Sequence, residues 1–193
     1  MSKRIALFSA AAFGALALTA AVIAPVSAQD KMKSEMSGEK TVMVGGAAMF
    51  PSKNIIQNAV HSKDHTTLVA AVKAAGLVET LEGKGPFTVF APTNTAFGKL
   101  PAGTVDTLVK PENKPTLTKI LTYHVVPGKL EASDLTDGKK LKTAEGDELT
   151  VKRADGKVMI GDAKGGWSTV TISNVNQSNG VIHVVDTVLM PAS

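Results

Sequence analysis

The chain contains no cysteine. That excludes disulfides, thiol catalysis and zinc–thiolate sites, and it leaves no thiol for a lipid anchor. Other signatures are missing as well. Neither G-x-x-x-x-G-K-[ST] nor G-x-G-x-x-G occurs. Ser52, Ser62 and Ser178 lack a nucleophile-elbow pattern. An excess of one charge is also absent. The 21 Lys and Arg residues face 17 Asp and Glu. Without Lys3 and Arg4 of the leader the balance is 21 − 2 = 19 against 17, a net of +2. These charges are interspersed and form no basic stripe along the sequence, which argues against nucleic acid as a partner.

What is present begins with an address. Lys3 and Arg4 precede an apolar, Ala-rich run from Ile5 to Ala24, and Val26 and Ala28 occupy the −3 and −1 positions of a signal-peptidase site. Residues 1–28 are therefore expected to be a cleaved signal peptide, with no stable membrane insertion afterwards. Residues 29–45 read as a flexible N-terminal linker, polar from Gln29 to Lys40 and ending in a first strand or clamp at Thr41-Val-Met-Val44 before flexible Gly45-Gly46, and 46–193 as one domain. The expected location is secreted, either extracellular or periplasmic.

The most structured stretch is Gly85 to Phe97. Phe87, Thr88, Val89 and Phe90 suit a buried strand. Pro92 has no N–H to continue a ladder. Thr93, Asn94 or Thr95 can then cap a helical turn, and Phe97 folds back onto the strand. Upstream, Ser52 is the expected N-cap of a short helix carrying Ile55 and Ile56. Asp64 or Thr66 is the expected cap of a second, whose apolar face is Leu68, Val69, Val72 and Ala75. Gly76 and Leu77 are placed for a Schellman closure of that helix. Pro115 fits the first turn of a later helix with Leu117, Ile120 and Leu121 inward. From Lys139 the apolar period becomes two, and Asp155-Gly156 is a two-residue hairpin signal. Helices first and hairpins last predict an α+β domain on a mostly antiparallel sheet.

Few residues suggest chemistry. His61 and His65 are four apart, but a helix break between them would split the pair, so both read as solvated loop residues. Glu145, Asp147 and Glu148 flank a turn without the spacing of a calcium loop. Met32, Met36, Met43 and Met49 could offer thioethers to Cu(I), at irregular spacing. No cofactor and no metal site is expected. His183 reads as a hydrogen-bonded strand residue. Tyr123-His124 sits where a helix gives way to a strand. His124 is expected to tie that junction to the Thr93–Thr95 turn.

Three landmarks stand in order: Phe87-Thr-Val-Phe-Ala-Pro-Thr-Asn-Thr-Ala-Phe97, then Tyr123-His124-Val-Val-Pro127-Gly128, then Asn179-Gly-Val-Ile-His-Val-Val-Asp-Thr-Val-Leu-Met-Pro191. Together they resemble the two signature boxes and the Tyr-His motif of the fasciclin domain, over about Asn54 to Pro191. Asn94 departs from the acidic residue that many members carry. The resemblance implies a wedge-shaped antiparallel β-sandwich with several helices packed beside it, and a secreted adhesion protein without enzymatic activity. It implies structural roles for Phe87, Val89, Phe90, Pro92, Thr93, Asn94, Phe97, Gly180, His183 and Asp186. It marks Tyr123, His124, Val125 and Val126 as candidate contact residues for a surface or matrix protein or polysaccharide. The alternative is a periplasmic protein that binds a small ligand or copper. Adhesion through the motif predicts an exposed Tyr123 or an apolar patch beside it.

Overall fold

The computed structural model describes residues 40–192; the expected signal peptide and most of the expected linker lie outside them. The chain starts with a small hairpin, β1 (Val42–Val44) and β2 (Ala47–Met49). β1 is the strand expected at Thr41–Val44, at the end of the 29–45 stretch. Helices α1 (Ile55–Ala59), α2 (Thr66–Ala75) and α3 (Val78–Glu82) follow. Next come β3 (Phe87–Pro92), α4 (Asn94–Gly98), α5 (Thr104–Leu108), a 3-10 turn (Pro111–Asn113) and α6 (Lys114–Tyr123). The remainder is β4 (Val125–Pro127), β5 (Lys140–Lys142), β6 (Glu148–Ala154), β7 (Lys157–Gly161), β8 (Trp167–Gln177) and β9 (Gly180–Val185).

Seven strands form one sheet in the order β4-β3-β9-β8-β7-β6-β5. Its pairings are antiparallel except between β3 and β9, which run parallel from Phe87↔Gly180 to Pro92↔Val185. β8 belongs to both halves because register shifts between Val170, Ile172 and Val175 bend it. The sheet folds over until its ends meet, where the Ala144 N–H donates to the Val125 carbonyl at 2.7 Å.

Two cores result, one on each face of β3 and β9. Val89, Ala91, Ile182 and Val184 point to the helices, meeting Ile56, Leu68, Val72, Phe97, Leu117 and Leu121. Phe90 and Val185 point into the folded sheet, meeting Tyr123, Leu135, Leu149, Val151, Ile160 and Leu189. Burial on both faces suits the near-continuous apolar runs of these two strands. Full burial of Phe90 alone contributes roughly 1.5–3 kcal/mol. A narrow apolar cavity of about 40 Å³ lies in the helix-side core, with His65 and His124 on its otherwise hydrocarbon wall.

The caps differ from the expected ones. Asn54, not Ser52, caps α1: it forms a capping box with Gln57, its Oδ1 accepting the Gln57 N–H at 2.8 Å. Neither Asp64 nor Thr66 caps α2. Asn94 does so from across the fold, its Oδ1 accepting the Thr67 N–H at 3.0 Å. Its Nδ2 donates to the Lys63 carbonyl at 2.8 Å and to the Thr66 hydroxyl at 2.9 Å. The Schellman closure forms as expected: Gly76 is left-handed at φ 73°, and the Leu77 N–H donates to the Val72 carbonyl at 3.0 Å. Gly180 lies so close to the Phe87 carbonyl that a Cβ there would collide with it.

Candidate functional site

The last turn of α6 leaves carbonyls without helical partners, as every helix C-terminus does. His124, the C-cap, takes up one of them: its Nδ1–H donates to the Ile120 carbonyl at 2.8 Å. That bond fixes the tautomer, so Nε2 is an acceptor, and it receives the Leu189 N–H at 3.0 Å. The His124 carbonyl accepts the Phe90 N–H at 2.9 Å. One residue thus joins α6, β3 and the segment after β9. The expected partner, the Thr93–Thr95 turn, is not bonded to the ring; Thr93 instead caps α4 through the Ala96 N–H at 3.2 Å. His124 is 2% exposed, and burial lowers its pKa to about 4 against the help of the Ile120 carbonyl. The imidazole is therefore neutral at pH 7.

Tyr123 is fully buried, contrary to the exposed position that direct contact requires. The ring fills the folded-sheet core. Its oxygen accepts the Ala163 N–H at 2.9 Å and its O–H donates to the Glu148 carbonyl at 3.2 Å, satisfying both capacities. Burial pushes the phenol up to about 12. Val125 and Val126 are buried too, on opposite faces of β4. The motif is brought together, but beneath the surface, because Val125 and Val126 face the two cores and only Pro127, at the end of β4, reaches solvent.

The remaining motif residues also serve the fold. His183 stacks on Phe90 with ring centres 5.7 Å apart. Its Nε2–H donates to the Leu130 carbonyl at 2.8 Å, and Nδ1 receives the Asn174 N–H at 3.4 Å. Burial lowers its pKa. Asp186 Oδ1 accepts the Thr169 N–H at 2.8 Å and the Thr187 hydroxyl at 3.1 Å, and Lys99 stands 3.7 Å from Oδ2. Burial pushes this carboxyl up, but these donors and the lysine outweigh it, so its pKa is lowered. Phe87 is half-buried at the start of β3, while Val89, Phe90, Pro92 and Phe97 are buried.

His65 corrects the solvated-loop reading. It is 3% exposed and hydrogen-bonded through Nδ1 to the buried Ser62 hydroxyl at 2.9 Å. Burial lowers its pKa. The β1–β2 hairpin seals the pair, with Gly45 packed directly on Ser62. His61 is exposed. Among the described residues no three His, Asp or Glu side chains gather to hold a metal. Met43 is exposed and Met49 is in the core, whereas Met32 and Met36 lie outside the described residues.

The sequence reading passed over Trp167. It is 42% exposed and lies across Gly161, its cross-strand partner. A Cβ on Gly161 would stand 2.9 Å from the indole ring. Lys152 Nζ is 5.6 Å from the ring centre. The available signal was a lone Trp after Gly165-Gly166, with a Gly in the preceding strand.

Comparison with known proteins gives the following. The family model for the fasciclin domain matches residues 63–191. Protein sll1483 of Synechocystis is 52% identical over 153 residues, 79% of this chain and 82% of that protein. Immunogenic protein MPB70 of Mycobacterium bovis is 34% identical over 199 residues, 99% of this chain and 98% of that protein. Cell surface glycolipoprotein MPB83 of the same species is 44% identical over 115 residues, covering 60% of this chain and 48% of that protein. Among solved structures, a FAS1 domain pair from the insect cell adhesion molecule fasciclin I superposes with a TM-score of 0.65 at 19% identity. That match covers 73% of this chain and 52% of the fasciclin I chain, so the likeness is one of fold over about half of the longer molecule.

Proposed function

The chain belongs to the fasciclin domain family, and from that premise we propose that it is a secreted, non-catalytic binding protein that contacts a surface or matrix protein or polysaccharide. Relatives named as a cell surface glycolipoprotein and a cell adhesion molecule support this reading. The observation that carries it is where the reactive side chains go. Three of the four histidines, His65, His124 and His183, and the one tyrosine, Tyr123, are buried, and each hydrogen-bonds into the fold. A general base has to reach the proton it removes, and a ring sealed in this way does not meet a substrate. The Tyr123–His124 junction acts as an internal rivet that keeps the outer surface in shape, and partners engage that outer surface. Nucleic acid is not the expected partner, given a net charge near zero beyond the leader.

The test is retention of the purified chain on immobilised cell-surface and matrix fractions, with folding checked in parallel. Retention abolished by protease treatment of the fraction identifies a protein ligand, and retention abolished by glycan oxidation identifies a polysaccharide. Failure to bind any fraction ends the proposal.

A further inference from the structure

The outward residues of the β5–β8 half-sheet follow from strand alternation. They are Lys140 and Lys142 on β5, Glu148, Thr150 and Lys152 on β6, Lys157, Met159 and Gly161 on β7, and Trp167 and Thr169 on β8. The inward neighbours Leu141, Leu149, Val151, Val158 and Ile160 are buried. Four exposed lysines thus share this face with one glutamate, Glu148, which pairs with Lys140 at 3.2 Å. The charges that looked interspersed along the sequence are concentrated here by the pleat.

Trp167 sits at the β8 end of this positive face. Lys140, Thr150, Gly161 and Trp167 form one row across four strands, and Lys152 is one row away beside the indole. Gly in a strand interior weakens the strand, and it commonly marks a place where something approaches closely. Here the missing Cβ lets the indole lie flat on the sheet. Lys152 Nζ stands over the ring, 5.6 Å from its centre, and this exposed side chain can swing aside to open the π-face to a ligand.

Resting on the binding reading above, we infer that this face binds an anionic polysaccharide. A sugar ring stacks its C–H face on Trp167, and the acid groups of neighbouring units pair with Lys152, Lys142 and Lys157. Charge complementarity selects an anionic chain over a neutral one. The flat aromatic platform selects a ring-bearing polymer over an acidic protein surface. The row from Lys140 to Trp167 spans three strand spacings of about 4.8 Å each, so the face engages a run of linked units rather than a single sugar.

The test is titration of the full chain with polygalacturonate, using dextran as the neutral control and single-stranded DNA and anionic vesicles as competing polyanions. Polygalacturonate binds, dextran does not, and affinity falls as salt is raised. Trp167→Ala weakens binding about tenfold, the size of one lost aromatic stack, while Trp167→Tyr restores most of it. The Lys142→Glu/Lys152→Glu double variant, altered only at exposed side chains, loses binding with its melting temperature kept. No binding of polygalacturonate, undiminished binding by the lysine variant, or tighter binding of DNA or vesicles overturns the inference. Should the lysine variant still be retained on surface fractions, this face is the wrong one and the adhesion reading stands. Loss of retention by the unaltered chain ends both.

Discussion

His124 Nε2 accepts the Leu189 N–H at 3.0 Å, so a ring at the end of α6 holds the segment that follows the last strand, 65 residues away. Its other nitrogen is held by the Ile120 carbonyl. His124→Ala strands a buried N–H and a buried carbonyl. The expected loss is about 2–4 kcal/mol, read as a lower denaturant midpoint at unchanged m-value.

The same ring makes stability depend on pH. Its pKa falls from 6.5 to about 4 on folding. Between those values the unfolded chain holds more protons than the folded one, so its contribution is complete above pH 6.5 and is lost as pH falls towards 4. The loss is on the order of 3 kcal/mol. His65 and His183 are lowered as well and add in the same direction. Asp186, lowered from 3.8, adds its loss further down the scale. Chemical denaturation across this range checks it, and His124→Leu flattens the profile.

Tyr123 is the chain's one tyrosine, so its ionisation is directly visible. Spectrophotometric titration of the folded chain has its phenolate midpoint near pH 12, whereas the denatured chain titrates near 10. Tyr123→Phe keeps the packing and removes both hydrogen bonds, leaving the Ala163 N–H without its acceptor. The expected cost is about 1–3 kcal/mol.

Asn94 serves as both acceptor and donor at the start of a helix to which it does not belong. Asn94→Ala removes all three side-chain bonds and costs about 1–2 kcal/mol. Asn94→Asp keeps the acceptor for the Thr67 N–H and places a negative charge at the helix N-terminus, which is favourable. It also faces the Lys63 carbonyl without a donor. The aspartate variant is therefore expected to melt between the wild type and the alanine variant in a thermal scan.

Gly180→Ala tests the parallel pairing of β3 with β9. A methyl group there meets the Phe87 carbonyl, and neither strand can yield without disturbing both cores. The loss is expected to exceed about 3 kcal/mol, seen as an unfolded or molten chain by near-UV circular dichroism.

Local chemistry was legible in the sequence. The Asp155-Gly156 turn joins β6 to β7 as read, with both residues at positive φ (53° and 73°). The period-two runs became strands, and Gly76-Leu77 closed α2. What was missed is mostly long-range. Asn94 and Thr67 are 27 residues apart, and nothing in the periodicity of α2 indicates a cap supplied from elsewhere. The parallel pairing of β3 with β9 joins segments more than 90 residues apart. The burial of Tyr123 depends on the sheet folding over it, and a Tyr tip reads the same in sequence whether it meets water or a backbone amide. Gly45-Gly46 was a local signal read as flexibility, although it is the turn of a two-residue hairpin.

The parallel pairing of β3 with β9 also sets the order in which the molecule can be finished. A ribosome delivers β3 long before β9, so a strand with five of its six residues buried waits, with one edge unpaired, for a partner that starts at Gly180. Until Gly180–Val185 arrives neither core can close, because both use its side chains.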